Sequence, residues 1–295
     1  MRSRPSELMP RPPSRPTDPQ PFCLSHDCLR ASSVGNQSGI LEPSPDTLAE
    51  RLGGHLRTHR PIVAGVVIVL VGSIVMAALA MGLGLLITKV LVGGAVERWD
   101  HSGNQWFVAQ RTPLLNSWTN VGSELGATFT VIGVAALACI ILAIGRHWRE
   151  FGFIVACLVI EASVSFTTST LITRTRPDVP RLDAAQPTGS FPSGHTAAAI
   201  VLYVSLALVI TSLVRSTLLR GLTWLLAIAL PIYVGFSRLY QGMHHPTDLI
   251  GSAVIAVGSL LFGLLACRTA VAVTGRRTDV GGRTHAAPSE AKAVP

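Results

Sequence analysis

Charge is scarce in this 295-residue chain: Asp, Glu, Lys and Arg make up 14% of it, where a soluble globular domain carries roughly 25%. That shortage argues against an ordinary water-soluble enzyme of this length. Aromatic residues are also few, at 6%. The net charge is +8, but the basic residues lie in the tails and between apolar runs. No compact basic segment carries stacking rings, so nucleic acid is rejected as a partner. Cysteines number five, an odd count without the look of a disulfide framework. Cys139, Cys157 and Cys267 sit inside apolar runs as small hydrophobes. Cys23 and Cys28 flank His26, a weak spacing for a zinc site, and read in the first place as unpaired tail cysteines with zinc binding as the alternative. A signal peptide is missing too, because no apolar core follows the first arginines.

Long apolar runs, in contrast, are abundant. Hydrophobic residues make up 48% of the chain, and several runs reach the ~20 residues that cross a bilayer. Six are expected, at about 62–88, 126–144, 153–172, 197–214, 222–236 and 249–267, with Pro231 as a kink in the fifth. The fold class expected is all-α, a polytopic membrane bundle of about six transmembrane helices spanning residues 61–268. Residues 1–60, rich in Pro, Ser and Arg, and residues 269–295 read as disordered tails. Between the first two runs, "WDHSGNQWFVAQRTPLLNSWTNVGSELG" places tryptophans at interface-like positions and suits a short amphipathic helix on the membrane surface.

Arginine placement sets the orientation. Eight arginines precede residue 61, Arg146 and Arg149 follow the second run, Arg215 and Arg220 lie between the fourth and fifth, and further basic residues follow the sixth. With six crossings all of these fall on one side, which makes both termini cytoplasmic in a plasma membrane. Arg174, Arg176, Arg181 and Arg238 then lie on the opposite, extracytoplasmic side and need another task.

Two stretches on that side carry ionisable groups against apolar runs: "TRTRPDVPRLDAAQPTGSFPSGHTAAA" from Thr173 and "SRLYQGMHHPTDLIG" from Ser237. In the first, "PSGH" opens the fourth run. Ser193 can cap the helix start, and Gly194 lets the backbone approach a ligand closely. Helix N–H groups there offer an anion site, with His195 beside it. In the second, His244 and Asp248 are four apart across a helix start. The carboxylate can hold one ring nitrogen and leave the other free to attack. Arg176 and Arg238 supply forked donors suited to phosphate oxygens. This set fits phosphoryl transfer through a histidine nucleophile. Arg181 and His245 read as interfacial anchors, and Glu161 as a packing residue facing protein within the third run.

The motifs "RP" at 176–177, "PSGH" at 192–195 and "SRLYQGMHHPTD" at 237–248 resemble the three signatures of the type 2 phosphatidic acid phosphatase (PAP2) superfamily, in its membrane lipid phosphatase branch. The resemblance covers about residues 60–270. It implies that His244 is the nucleophile that forms a phosphohistidine and that Asp248 orients it. It makes His195 the general acid, and Arg176, Ser193, Gly194 and Arg238 the phosphate cradle. It implies no metal and no cofactor, and a lipid phosphate or diphosphate as substrate. Phosphatidic acid, phosphatidylglycerol phosphate and polyprenyl diphosphate are all compatible. One departure stands out. The first signature usually opens with lysine seven residues before the Arg-Pro arginine, and that position is Ser169 here; Arg174 is the nearby cation that can substitute in binding phosphate. A transporter would place its charges near mid-membrane, often with repeats, and a catalytically dead relative or scaffold would have lost His195, His244 or Asp248. Neither pattern is seen.

Overall fold

The computed structural model describes residues 40–43, 47–56, 60–184 and 187–285. Cys23, His26 and Cys28, with most of the tail expected at 1–60, lie outside the described residues. Nine α-helices are present among those described: α1 Leu48–His55, α2 Pro61–Leu85, α3 Ala95–Ala109, α4 Pro113–Glu124, α5 Thr128–Ile144, α6 Trp148–Leu171, α7 Gly194–Leu213, α8 Thr217–Tyr240 and α9 Pro246–His285. A π-helical turn, Leu86–Val90, extends α2.

Among the described residues five helices are long and apolar enough to cross a membrane, and α4 with α5, bent by 47°, brings the number to six where that pair is one span. The all-α expectation of about six crossings therefore holds. Two boundaries are corrected. A short helix, α1, forms inside the expected N-terminal tail. The last helix also continues to His285, where a tail was expected from residue 269. The fifth span runs unbroken from Thr217 to Tyr240 with Pro231 inside it.

The helices assemble through small residues on their inner faces, as suits spans that gain nothing from excluding water against lipid. In α2, Ala64, Ile68, Gly72, Met76, Ala80 and Gly84 are buried at every fourth position. That stripe lies along α9: Gly65 faces Ala266 and Ala270, Gly72 faces Phe262, and Met76 meets Gly258. Numbers rise along one helix as they fall along the other, so α2 and α9 are antiparallel. α1 rests on the far end of α9, with Gly53 against Ala272. The core includes Phe153, Ile154 and Cys157 of α6 with Val201 and Val209 of α7. Outward faces carry exposed Val, Leu, Ile and Phe, among them Ile62, Phe129 and Leu218, the dress of a surface in contact with lipid.

At the end of the bundle away from α1, α3 lies over the start of α9. Its Gly103 sits where a Cβ would be 2.9 Å from the Pro246 ring. Asp100 and Asn104 face inward and are buried, whereas Trp99 and Trp106 face outward. The expected amphipathic helix is therefore present, with its polar face turned to protein and its rings free to lie at a membrane interface.

Candidate active site

The site forms where the 172–193 segment, the α8–α9 turn and the start of α7 meet. Gly242 adopts φ +73°, a left-handed conformation that favours glycine, and turns the chain from α8 toward His244. Pro246 then opens α9 at the first helical position, where its missing N–H costs nothing.

His244 and His245 are both part of this turn, but their rings are committed differently. His244 is 4% exposed, and its Nδ1–H donates to the Ser190 carbonyl at 2.8 Å. A carbonyl only accepts, so the proton is fixed on Nδ1 and the Nε2 lone pair is left available. Among the described residues Nε2 has no protein hydrogen bond. His245 uses both nitrogens: Nδ1 accepts from Asn104 of α3 at 3.1 Å, and Nε2 donates to the Thr175 carbonyl at 3.2 Å.

Asp248 is fully buried. Its Oδ2 lies 3.6 Å from His244 Nδ1, beyond hydrogen-bond range, and accepts instead from the His245 N–H at 2.8 Å. That return bond, from the third helical residue to the cap position, closes the helix start. The carboxylate thus acts on His244 through charge at close range, while Ser190 sets the ring's tautomer. Burial pushes His244 below its usual imidazole range; Asp248 opposes this, and Arg238 and Arg176 reinforce it. His244 is therefore neutral at neutral pH.

Arg238 is 1% exposed. Its Nη1 donates to Asp183 at 2.7 Å and to Ser123 of α4 at 2.7 Å, and its buried Nε has no partner. Arg176 donates to the Met243 carbonyl at 2.8 Å and is only half-buried. His195 stands within electrostatic range of Arg176, Arg238, His244 and Asp183. Partial burial pushes the Asp183 carboxyl upward, but the Arg238 bond and the Ala184 N–H win and hold it below its ordinary range. Asp183 thus places a carboxylate on the arginine expected to hold phosphate.

Ser193 and Gly194 open α7 as the sequence suggested, with one correction. Ser193 makes no side-chain cap; its buried hydroxyl pairs with Thr196 Oγ1 at 3.0 Å, and its carbonyl accepts from Ser252 of α9 at 2.8 Å. What it can offer an anion is its backbone. Gly194 is exposed, and a Cβ there would meet no atom within 4 Å, so the helix start opens onto free space. Gly126, between α4 and α5, backs this start from behind: a Cβ on it would come within 2.8 Å of the His195 carbonyl oxygen and 2.6 Å of Val234.

Arg174 does not stand free as a substitute for the lysine. Its Nη2 pairs with Asp100 at 2.6 Å and its Nη1 with Asp248 and with Thr247 Oγ1, the latter at 2.8 Å. Ser169 turns its hydroxyl back to the Phe166 carbonyl at 3.2 Å. Arg174 and Arg176 line two adjoining clefts of about 400 and 740 Å³; neither is lined by His195 or His244. Sequence reasoning missed Asp100, Asp183 and the Ser190 carbonyl. Only Asp100 had a trace, as one of two polar residues four apart in "WDHSGN". Among the described residues no three His, Cys, Asp or Glu side chains are grouped to hold a metal ion.

Comparison with known proteins bears on this arrangement. Residues 150–271 match the PAP2 superfamily. Over 182 residues the chain is 25% identical to phosphatidylglycerophosphatase B of Bacillus subtilis (strain 168), covering 61% of this chain and 88% of that protein. It is 41% identical over 75 residues to undecaprenyl-diphosphatase BcrC of the same organism, covering 25% of this chain and 34% of the relative, so the chain spans about a third of that relative's length. In fold it resembles the crystal structure of a transmembrane PAP2 type phosphatidylglycerolphosphate phosphatase from Bacillus subtilis. The TM-score is 0.54 at 22% identity, over 70% of this chain and 96% of that one. All three signatures gather at one end of a multi-span helical bundle, and the segment that carries them, residues 150–271, is the part of the chain that matches the PAP2 superfamily.

Proposed function

We propose that this protein is an integral-membrane phosphatase that hydrolyses lipid-linked phosphate or diphosphate esters through a phosphohistidine on His244. The observation that carries the reading is the fixed tautomer of a buried, neutral histidine, with Nδ1–H bound to the Ser190 carbonyl. It leaves Nε2 as the nucleophile. The names of the relatives, one acting on phosphatidylglycerophosphate and one on undecaprenyl diphosphate, support the substrate class.

In this reading Arg176, Arg238 and the N–H groups at the start of α7 hold the phosphoryl oxygens, and their charge offsets what accumulates in the transition state. His244 Nε2 attacks phosphorus as the bond to the lipid oxygen breaks, and His195 gives that oxygen its proton. The bound phosphate brings negative charge beside His195, which favours its protonated form. His195 then takes a proton from water as the water attacks phosphorus, releasing phosphate and restoring neutral His244. The donor set is cationic and all protein, so turnover proceeds without metal. The site faces the extracytoplasmic side, where lipid headgroups meet it at the bilayer surface.

The test is phosphate release by the purified protein on phosphatidic acid, phosphatidylglycerol phosphate and a polyprenyl diphosphate, with and without chelator. Rapid quenching with labelled substrate should give an acid-labile, base-stable phosphoprotein that His244→Ala abolishes. Substantial turnover by that variant, or activity that vanishes with EDTA and returns with magnesium, overturns the mechanism.

A further inference from the structure

Asp100 lies on α3, outside the 150–271 segment that matches the family, and is 1% exposed. Its two oxygens meet three donors: Thr247 N–H at 2.9 Å, Thr247 Oγ1 at 2.6 Å and Arg174 Nη2 at 2.6 Å. The first two fix the opening turn of α9, which carries Asp248 one residue later. The third reaches an arginine whose other nitrogen is bound to Asp248 itself. Buried charges demand partners, and this guanidinium serves two carboxylates at once.

We propose that Asp100 is a positioning residue for the His244 reaction, sharing Arg174 with Asp248 so that Asp248 keeps its negative character beside His244. The inference rests on the reading of His244 as nucleophile. Charge decides the argument. Two carboxylates and one guanidinium leave one net negative charge next to the ring. As Nε2 bonds to phosphorus, His244 keeps the proton on Nδ1 and becomes an imidazolium-like phosphohistidine, which that negative charge stabilises. The groups facing His244 from elsewhere, Arg238 of α8, Arg176 of the 172–193 segment and His195 of α7, are cations or can become so. They favour the phosphate and oppose the imidazolium. Without Asp100, Arg174 would neutralise Asp248 alone, and nothing of net negative sign would remain at the ring.

The experiment compares Asp100→Asn, Arg174→Gln and the pair in the purified full-length protein. Asn keeps an oxygen for the Thr247 N–H but removes the charge. Asp100→Asn should lower kcat by roughly tenfold or more, the equivalent of about 1.4 kcal/mol on the barrier, with KM within about twofold because the cradle is intact. The pair restores one net negative charge on Asp248 and should recover kcat above that of Asp100→Asn. A purely structural role predicts the opposite, since losing two interactions at one site is worse than losing one. Wild-type kcat in Asp100→Asn, or a pair no better than that variant, overturns the inference. If Asp100→Asn does not accumulate folded, the pair is compared with the wild type: both leave one net negative charge beside His244, so a kcat within about threefold sustains the charge account, and a loss of about tenfold or more overturns it. A wild-type protein that releases no phosphate from any lipid phosphate, or is not labelled on His244, would sink the underlying reading instead.

Discussion

Two adjacent histidines in this chain differ in what their second nitrogen can do, and that difference has a measurable pH signature. His245 spends both nitrogens on neighbours, whereas His244 keeps Nε2 and is held below its usual range by burial, with Arg238 and Arg176 acting in the same sense against Asp248. Protonation would remove the attacking lone pair, so activity is lost on the acid side of the His244 pKa. kcat/KM should therefore hold as pH falls through about 6.5, the ordinary imidazole value. It should drop only at more acidic pH, once the phosphate's own ionisation near pH 6 is divided out. A His244-dependent limb at or above about 6.5 would contradict the geometry. A second residue-scale prediction concerns Ser169, which lines the larger cleft with Arg176. A lysine there can extend its amine along the wall, so Ser169→Lys should lower KM severalfold, about 1 kcal/mol for a partly exposed charge. An unchanged KM would mean that position 169 lies out of reach of bound phosphate. The side chains now gathered in the site were mostly legible in the sequence because they carry unusual chemistry at an apolar boundary. Ser190 was not, because it acts through a backbone carbonyl that has no residue signature. Asp100 was hidden by distance, since its partner Thr247 lies 147 residues away.

Among the elements, each of the six apolar runs became a helix at nearly its expected place, because runs of that length have little choice in lipid. The misses share a cause. α4 lies within the stretch expected to form one amphipathic helix and was not foreseen as a helix of its own; its polar residues serve α8 and its cap, where Ser123 binds Arg238, Asn116 binds Tyr240 and Asn120 binds Gln241. Hydropathy records apolar faces and is blind to helices that exist to satisfy buried polar groups. The α4–α5 bend is where this support meets the start of α7, and Gly126 is its contact. Gly126→Ala would drive a methyl group into Val234 and the His195 carbonyl, at 2.6 and 2.8 Å. Overpacking of this kind costs about 1–3 kcal/mol. The variant should unfold several degrees lower in detergent and lose phosphate turnover, since His195 moves with its carbonyl. Gly133→Ala in α5 is the control: its Cβ meets nothing within 4 Å, and helix propensity favours alanine. Equal stability and activity in the two variants would remove Gly126 from its supporting role.

At the scale of the whole molecule, packing decides which elements share an end of the bundle, and the proposed sidedness rests on charge. The antiparallel seam of α2 and α9 brings Gly65 to Ala266 and Ala270 at one end. At the other end the π-helical turn carries Ile87 against Ile172 and Phe191. The start of α2 and the far part of α9 therefore share one end of the bundle, and the site occupies the other. Six crossings give the same result by parity. Which end faces the cytoplasm is a matter of the arginines: Arg146, Arg149, Arg215 and Arg220 stand at the end of α2's first residues, in connections short enough for the positive-inside rule to apply. Of the arginines at the opposite end, Arg174 and Arg238 are tied to Asp100, Asp248 and Asp183, which gives those two a structural task at the site. An epitope inserted after Asp178, which is exposed, should be reached by antibody on intact spheroplasts. One inserted after Arg215, between α7 and α8, should be reached only after permeabilisation, and a C-terminal reporter should behave as cytoplasmic. Asp178 and Arg215 on the same side would break the six-span count. A full reversal would keep the count but turn the site inward, and lipids presented on the outer leaflet could then no longer be its substrates.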